Sequence, residues 1–207
     1  MPFASSRETG RISVIAVLGA PGSGKTHFLN HLLGLPALKN TVLLTASDDV
    51  QAKHNSERVL RLASLRESSD SGCFCCGMRS GLGDALRDLF LRALSKKIST
   101  VDRVIIEANL LDPESLKFTL KHAPFLGQRY VFRSAFLLID VGHFTEKTMN
   151  FEGLGVEFAD YVVFSKTEMI DQELLQRMML AVKQLNLKVK VVLSVDKLEA
   201  LLANTLH

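Results

Sequence analysis

The chain has 207 residues, 47% hydrophobic and 23% charged, which suits one full-sized α/β domain with its own core. The net charge of +3 is too small to argue for nucleic acid, and no apolar run approaches the about 18 residues that a bilayer span needs. Met1 to Gly10 reads as a flexible leader, residues 11–207 as a single domain with no second C-terminal one, and the three cysteines as reduced thiols in a cytoplasmic protein.

The first predicted element is a strand, Ile12 to Leu18, apolar almost throughout and therefore buried. It runs into Gly19-Ala20-Pro21-Gly22-Ser23-Gly24-Lys25-Thr26, which fits G-x-x-x-x-G-K-[ST], and a helix is expected from Lys25 to Leu33. Strand, glycine-rich loop and helix in that order make a phosphate-binding loop. Its successive N–H groups point inward at phosphate oxygens, and the helix N-terminus adds partial positive charge. Lys25 is expected on the β- and γ-phosphates and Thr26 on Mg²⁺.

Leu35-Pro36 then breaks the pattern, and Thr41 to Thr45 reads as a second buried strand. Asp48 and Asp49 follow its carboxyl end. They are candidates to hold Mg²⁺, or alternatively to cap a helix from Val50 to about Leu60. Arg58 to Leu65 fits either helix or short strand. From Arg79 the apolar residues Leu82, Leu86, Leu89 and Phe90 follow helical spacing. Val104 to Ile106 is a strand ending at Glu107, and Asp112-Pro113 opens a helix. Tyr130 to Ile139 is a strand ending at Asp140, with a helix expected over His143 to Met149 and His143 itself on the surface. Asp160 to Phe164 is a strand, and Asp171 caps a helix through Gln184 with Met178 and Met179 in its core face. Val189 to Leu193 is the last strand and Val195 to Asn204 the last helix. Strands alternating with helices, several of them apolar on both faces, predict a mainly parallel, doubly wound sheet.

All three cysteines fall within four positions, Cys73, Cys75 and Cys76, between Gly72 and Gly77. Thiolates this close repel one another, and a bound metal relieves that. Three sulfurs suit Zn²⁺ or another thiophilic transition metal, with a fourth position open for transfer or sensing. Merely reduced thiols and a redox pair are the alternatives, though Cys73-Phe74-Cys75 lacks the usual C-x-x-C spacing.

Glu107 and Asp140 each end a buried strand at the edge where open α/β sheets bind ligands. Glu107 is the preferred carboxylate to support Mg²⁺ or orient an attacking water, and Asp140 reads better as a cap or ion-pair partner. Ser165-Lys166-Thr167-Glu168 lies where a guanine-reading loop supplies Asn-Lys-x-Asp. Lys166 fits along the base, Glu168 keeps the carboxylate one methylene longer, and Ser165 replaces the amide.

Together these residues resemble the P-loop GTPases of metalloenzyme maturation, and within them the CobW-like branch. The phosphate loop, Gly-Cys-x-Cys-Cys at Gly72–Cys76, Glu107, Asp112-Pro113, Asp140 and Ser165–Glu168 carry the resemblance to about residue 195. It implies a slow Mg²⁺-dependent GTPase that acts as a metallochaperone for zinc, cobalt or a similar ion, with a client metalloprotein and a possible homodimer. It places Asp48 in the switch segment and Cys73, Cys75 and Cys76 on the metal. It makes Glu107 the switch carboxylate, with Lys166 and Glu168 reading the base. The family's Glu-Thr-Thr-Gly is here Glu107-Ala108-Asn109-Leu110, and its Asn-Glu-Phe-Gly after strand two is missing. The changed Glu107–Leu110 segment motivates a second reading, a nucleotide-gated binding module with little hydrolysis; the phosphate loop allows a third, an ATP-dependent kinase or phosphotransferase, which the Ser165–Glu168 loop does not exclude.

Overall fold

Strand β1, Ile12–Leu18, is buried along its whole length, as a strand covered on both faces must be. The structure, a computed structural model, describes residues 10–45, 47, 50, 58–61, 74–108, 113–145 and 149–193. Beside β1 these residues form α1 (Lys25–Gly34), β2 (Thr41–Thr45), β3 (Val59–Arg61), α2 (Phe74–Leu94) and β4 (Arg103–Ala108). After them come α3 (Pro113–His122), α4 (Pro124–Arg129), β5 (Tyr130–Asp140), β6 (Tyr161–Ser165), α5 (Gln172–Leu185) and β7 (Lys190–Val192). The strands make one seven-stranded sheet in the order β3-β2-β4-β1-β5-β6-β7, and every pairing is parallel. The expected doubly wound α/β sheet is therefore what the chain forms.

Pleat parity divides the core. Ile15, Val17, Leu43, Ile105, Phe136 and Leu138 face α1 through Phe28, Leu29 and Leu32. Val14, Ala16, Leu44, Ile106, Leu137 and Ile139 face the other way, onto Leu82, Leu86 and Leu89 of α2, Leu116 and Leu120 of α3, and Met178 and Val182 of α5. The chain leaves β1 toward β2 on one side and crosses from β4 to β5 on the other, so the order reverses between β1 and β4. That crevice is where a doubly wound sheet binds its ligand.

Two expectations are corrected, one open reading is decided and one helix is new. The helix of the Arg79 segment begins earlier, at Phe74, so Cys75 and Cys76 lie on helical backbone rather than in a tight glycine-flanked turn; Cys73 is outside the described residues. Val59 and Leu60 are strand, paired with Leu43 and Leu44, not the end of a helix; this decides Arg58–Leu65 in favour of a strand over 59–61. The helix expected over His143 to Met149 is not formed at Phe144, Thr145 or Met149, the described residues past His143. A single 3₁₀ turn, Val141–His143, follows Asp140, whose carboxylate accepts from the Gly142 N–H at 3.0 Å. Phe144 then leaves helical geometry to stack on Phe151 in the core, ring centroids 5.1 Å apart. Finally, α4 was not expected. Ala123 is extended, and Pro124 at the first helical position starts a new helix where the old one stops. The predicted Val195–Asn204 helix lies outside the described residues.

Asp171 caps α5 as expected, accepting from the Leu174 N–H at 2.7 Å. The two sides of the α2 layer are tied by Tyr130, whose buried hydroxyl donates to the Leu86 carbonyl at 2.6 Å. Burial pushes that phenol well above its ordinary pKa, which keeps it a donor. Tyr130→Phe is expected to cost about 1 kcal/mol, seen as a melting-temperature drop of about 2–4 °C. Gly19 makes a stricter demand. Its φ is +149°, and a Cβ there would sit 2.6 Å from the Leu138 carbonyl of the adjacent strand and 2.5 Å from Ser23 Oγ. Because the Leu138 carbonyl belongs to a central strand and cannot move aside, Gly19→Ala is expected to destabilise the fold by about 1–3 kcal/mol in urea denaturation.

Candidate functional site

The residues singled out at strand ends converge at one edge of the sheet. β1 delivers the loop Gly19–Gly24, β4 delivers Glu107, β5 delivers Asp140 and β6 delivers Ser165 and Lys166. Parallel pairing does this: when every strand runs the same way, every carboxyl end comes to the same side.

The loop turns into α1 at Gly24, which has φ +87° and no side-chain cap on the helix. No acidic residue occupies the first turn of α1. The partial positive pole of the helix is thus left to whatever anion the loop receives. Ala20 accepts from the Ser23 N–H at 3.1 Å, which closes the tip of the loop. Thr26 stands half-buried on the first turn.

Lys25 is buried, only 6% exposed. Its ammonium donates to the Gly19 carbonyl at 2.8 Å and the Ala20 carbonyl at 2.9 Å, so it lies back across its own loop. Burial lowers its pKa, and the negative charge of Glu107 partly opposes that. Glu107 is equally buried, and its Oε2 accepts a hydrogen bond from the Thr45 hydroxyl. Thr45 Oγ1 in turn accepts from the Ser47 N–H at 2.8 Å. Ammonium and carboxylate are therefore buried near one another at the ends of β1, β2 and β4.

On the other side of β1 the base-reading candidates are tied to the loop. Ser165 Oγ donates to the Ser23 carbonyl at 2.9 Å, so the short hydroxyl that replaces an amide latches the phosphate loop to β6. Lys166 has φ +59° and forms an ion pair with Asp140. Asp140 is the cap and ion-pair partner that its position suggests. Glu168 is exposed on the 3₁₀ turn Thr167–Met169. Between the loop and residues 144–158 opens a cavity of about 480 Å³, lined by Leu18, Leu137, Phe144, Leu154 and Phe158 together with Asp140 and Lys166; Glu168 does not line it. The Ser23 hydroxyl beside it is buried and has no hydrogen-bond partner among the described residues.

Thr45, the Ser165–Ser23 latch and the cavity's aromatic wall were not singled out in the sequence. Only Thr45 left a trace there, as the polar residue at the carboxyl end of the strand Thr41–Thr45. Asp48, Asp49 and Cys73 lie outside the described residues, and of Cys75 and Cys76 only the helical backbone is described. Among the described residues no group of three or more His, Cys, Asp or Glu converges as a metal site, and no helix is long and apolar enough to cross a membrane.

Comparison with known proteins agrees with this layout. No individually curated protein matches the chain by sequence. Among solved structures, the Zn(II)-bound YjiA GTPase from E. coli superposes with a TM-score of 0.64 at 20% identity, over 88% of this chain and 57% of that one. The chain thus spans little more than half the length of YjiA. HypB from Helicobacter pylori in complex with nickel gives a TM-score of 0.60 at 19% identity, over 96% of this chain and 88% of that one. The hydrogenase maturation factor HypB from Archaeoglobus fulgidus gives 0.59 at 18% identity, over 97% and 93%. At these identities the likeness is one of fold. Residues 13–193 match the family described as the CobW/HypB/UreG nucleotide-binding domain. That match runs from β1 past β7 and takes in every element that carries the site, so the chain belongs to the CobW/HypB/UreG family of nucleotide-binding domains.

Proposed function

We propose that this chain binds and slowly hydrolyses GTP, and that its nucleotide state governs the binding or delivery of a thiophilic metal ion. The observation that carries the nucleotide half is the buried Lys25 at the head of an uncapped helix, within reach of the loop carbonyls and of Glu107's field. A buried ammonium whose hydrogen bonds go to neutral carbonyls gains when a polyphosphate replaces them, because a charged acceptor binds it about twice as strongly. Gly19 to Gly24 would cradle the β-phosphate with backbone N–H groups, and Lys25 would turn to the β- and γ-phosphates.

Mg²⁺ fits the donor set: the half-buried Thr26 hydroxyl on the first turn of α1 and the Glu107 carboxylate at the end of β4 offer hard oxygen ligands, and Asp48, which lies outside the described residues, is a further candidate from the sequence. When bound, Mg²⁺ supplies charge neutralisation of the phosphate oxygens. The chain's own share of catalysis is electrostatic and positional: Lys25 and the loop N–H groups stabilise charge while Glu107 orients water. Ser165, Lys166 and Glu168 would read the base, with Glu168 accepting from the N1–H and exocyclic amine of guanine.

The metal half rests on Cys73, Cys75 and Cys76. It is supported by family membership and by fold neighbours solved with zinc and with nickel. The ion is cargo in this reading, cobalt, zinc or a similar metal, passed to a client metalloprotein. Neither nucleic acid nor membrane is a partner. The protein works in the cytoplasm, and pairing of two copies is compatible with the role. One observation favours a second reading, a nucleotide-gated binding module with little turnover: Ala108-Asn109-Leu110 follows Glu107 without the glycine that would bring a backbone N–H to the γ-phosphate.

Titration with GTP and ATP tests the base. GTP is expected to bind more tightly, and Lys25→Ala is expected to weaken it about 10- to 100-fold, the worth of one charge-assisted hydrogen bond. Tight ATP binding with weak GTP binding would point to a kinase or phosphotransferase instead. Metal titration with GTP, ATP and neither tests the coupling, which must be reciprocal if it is one of equilibrium. A Cys73→Ser, Cys75→Ser, Cys76→Ser triple variant is expected to lose metal affinity while keeping GTP affinity, and unchanged metal binding would sink the metal site. Metal-linked nucleotide binding without phosphate release would favour the binding module.

A further inference from the structure

We propose that Thr45 is a positioning residue for Glu107: its hydroxyl donates to Glu107 Oε2 and, by accepting from the Ser47 N–H, ties that carboxylate to the chain leaving β2. The inference rests on the reading of Glu107 as the carboxylate that serves the γ-phosphate.

The juxtaposition follows from register. β2 and β4 are parallel, with Leu44 beside Ile106, so the next residues on, Thr45 and Glu107, are neighbours. Leu44 and Ile106 point to the α2 side, so Thr45 and Glu107 both point to the α1 side, where Lys25 begins its helix. Two polar side chains thus meet at the end of two buried strands, beside the crevice between β1 and β4 where the strand order reverses.

A fully buried threonine is costly unless its hydroxyl is used. Thr45 is 0% exposed and uses its hydroxyl twice, as donor to a carboxylate and as acceptor from a backbone N–H. Thr41, on the same strand and the same face, is 1% exposed, and its hydroxyl has no partner among the described residues. The strand therefore carries its own control: one buried threonine engaged with the candidate site and one not.

The physical effect is on orientation. The terminal torsion of a glutamate is broad, so a carboxylate without a fixed donor samples many planes. One donor on Oε2 fixes the plane and leaves Oε1 as the oxygen that Thr45 does not engage. Because Thr45 Oγ1 also holds the Ser47 N–H, a shift in the backbone after β2 would be felt at the Glu107 carboxylate.

The test compares the full chain as wild type, Thr45→Val, Thr45→Ser, Thr41→Val and Glu107→Gln in GTP hydrolysis, with affinity for a fluorescent GTP analogue measured on the same samples. Thr45→Val keeps the shape and removes the hydroxyl. It is expected to lower kcat by about 10- to 100-fold, the scale of a small misplacement of a catalytic group, with KM within about threefold of wild type. Thr45→Ser is expected to recover most of the rate, and Thr41→Val to behave as wild type. Adding Thr45→Val to Glu107→Gln is expected to cost little more, since the two act as a unit.

Wild-type kcat in Thr45→Val together with a slow Glu107→Gln overturns the positioning role and leaves the reading of Glu107 standing. Wild-type kcat in Glu107→Gln, or no hydrolysis by the wild type, overturns that reading and this inference with it. A loss in Thr45→Val that Thr45→Ser does not recover, or that falls on KM and analogue affinity as much as on kcat, shows a merely structural threonine and also overturns it. If Thr45→Val fails to fold, Thr45→Ala against Thr45→Ser reads the same contrast.

Discussion

A lysine ammonium buried at the head of α1 sets the terms for the surrounding structure. A charge taken out of water must be paired or hydrogen-bonded, or it loses its proton. Lys25 meets that demand with two carbonyls of its own loop and with the field of Glu107, and burial still holds its pKa below the ordinary value. The loop can offer those carbonyls only if it folds back over the helix start. That requires Gly19 to pass against β5 without a side chain, and Gly24 to adopt a left-handed conformation.

The same corner explains the division of labour around β1. On the β4 side lie Glu107, Thr45 and Lys25, all buried, where charge interactions are stronger than in open solvent. On the β5 and β6 side lie Asp140, Lys166 and Ser165, partly open and linked to the loop by the Ser165 hydroxyl. Chemistry on phosphate suits the first environment. Recognition of a larger, flatter group suits the second, where an apolar cavity opens beside polar groups at its edge. The loop between them is shared: its Ser23 carbonyl accepts from Ser165 on one side, and its Gly19 and Ala20 carbonyls accept from Lys25 on the other.

Much of this was legible from residue order. The apolar runs Val14–Leu18, Val104–Ile106, Ala135–Ile139 and Tyr161–Phe164 announce strands buried on both faces, and alternation with helices announces parallel pairing. From parallel pairing it follows that Glu107, Asp140 and Ser165 end at one edge. Where the reading failed, tertiary packing overrode a local signal. Phe144 leaves the turn after Asp140 because its ring stacks on Phe151, which no local pattern encodes. Pairing with β2 draws Val59 to Arg61 into a strand at the sheet's edge, although the segment alone fits a helix as well. The helix of α2 runs back through Gly77, although glycines flanking a cysteine cluster suggest a turn.

The sequence by itself determined the phosphate loop, the parallel α/β sheet and the set of polar residues at its carboxyl edge, because these rest on local spacing and on the buried character of whole strands. Only the tertiary structure decided which of those residues touch. That Thr45 and not another residue holds Glu107, that Asp140 pairs with Lys166, and that Ser165 bonds the loop all depend on strand order and register. The partners lie 62, 26 and 142 positions apart in the chain. At such separations local sequence pattern carries no information about contact, and the pleat of neighbouring strands supplies it instead.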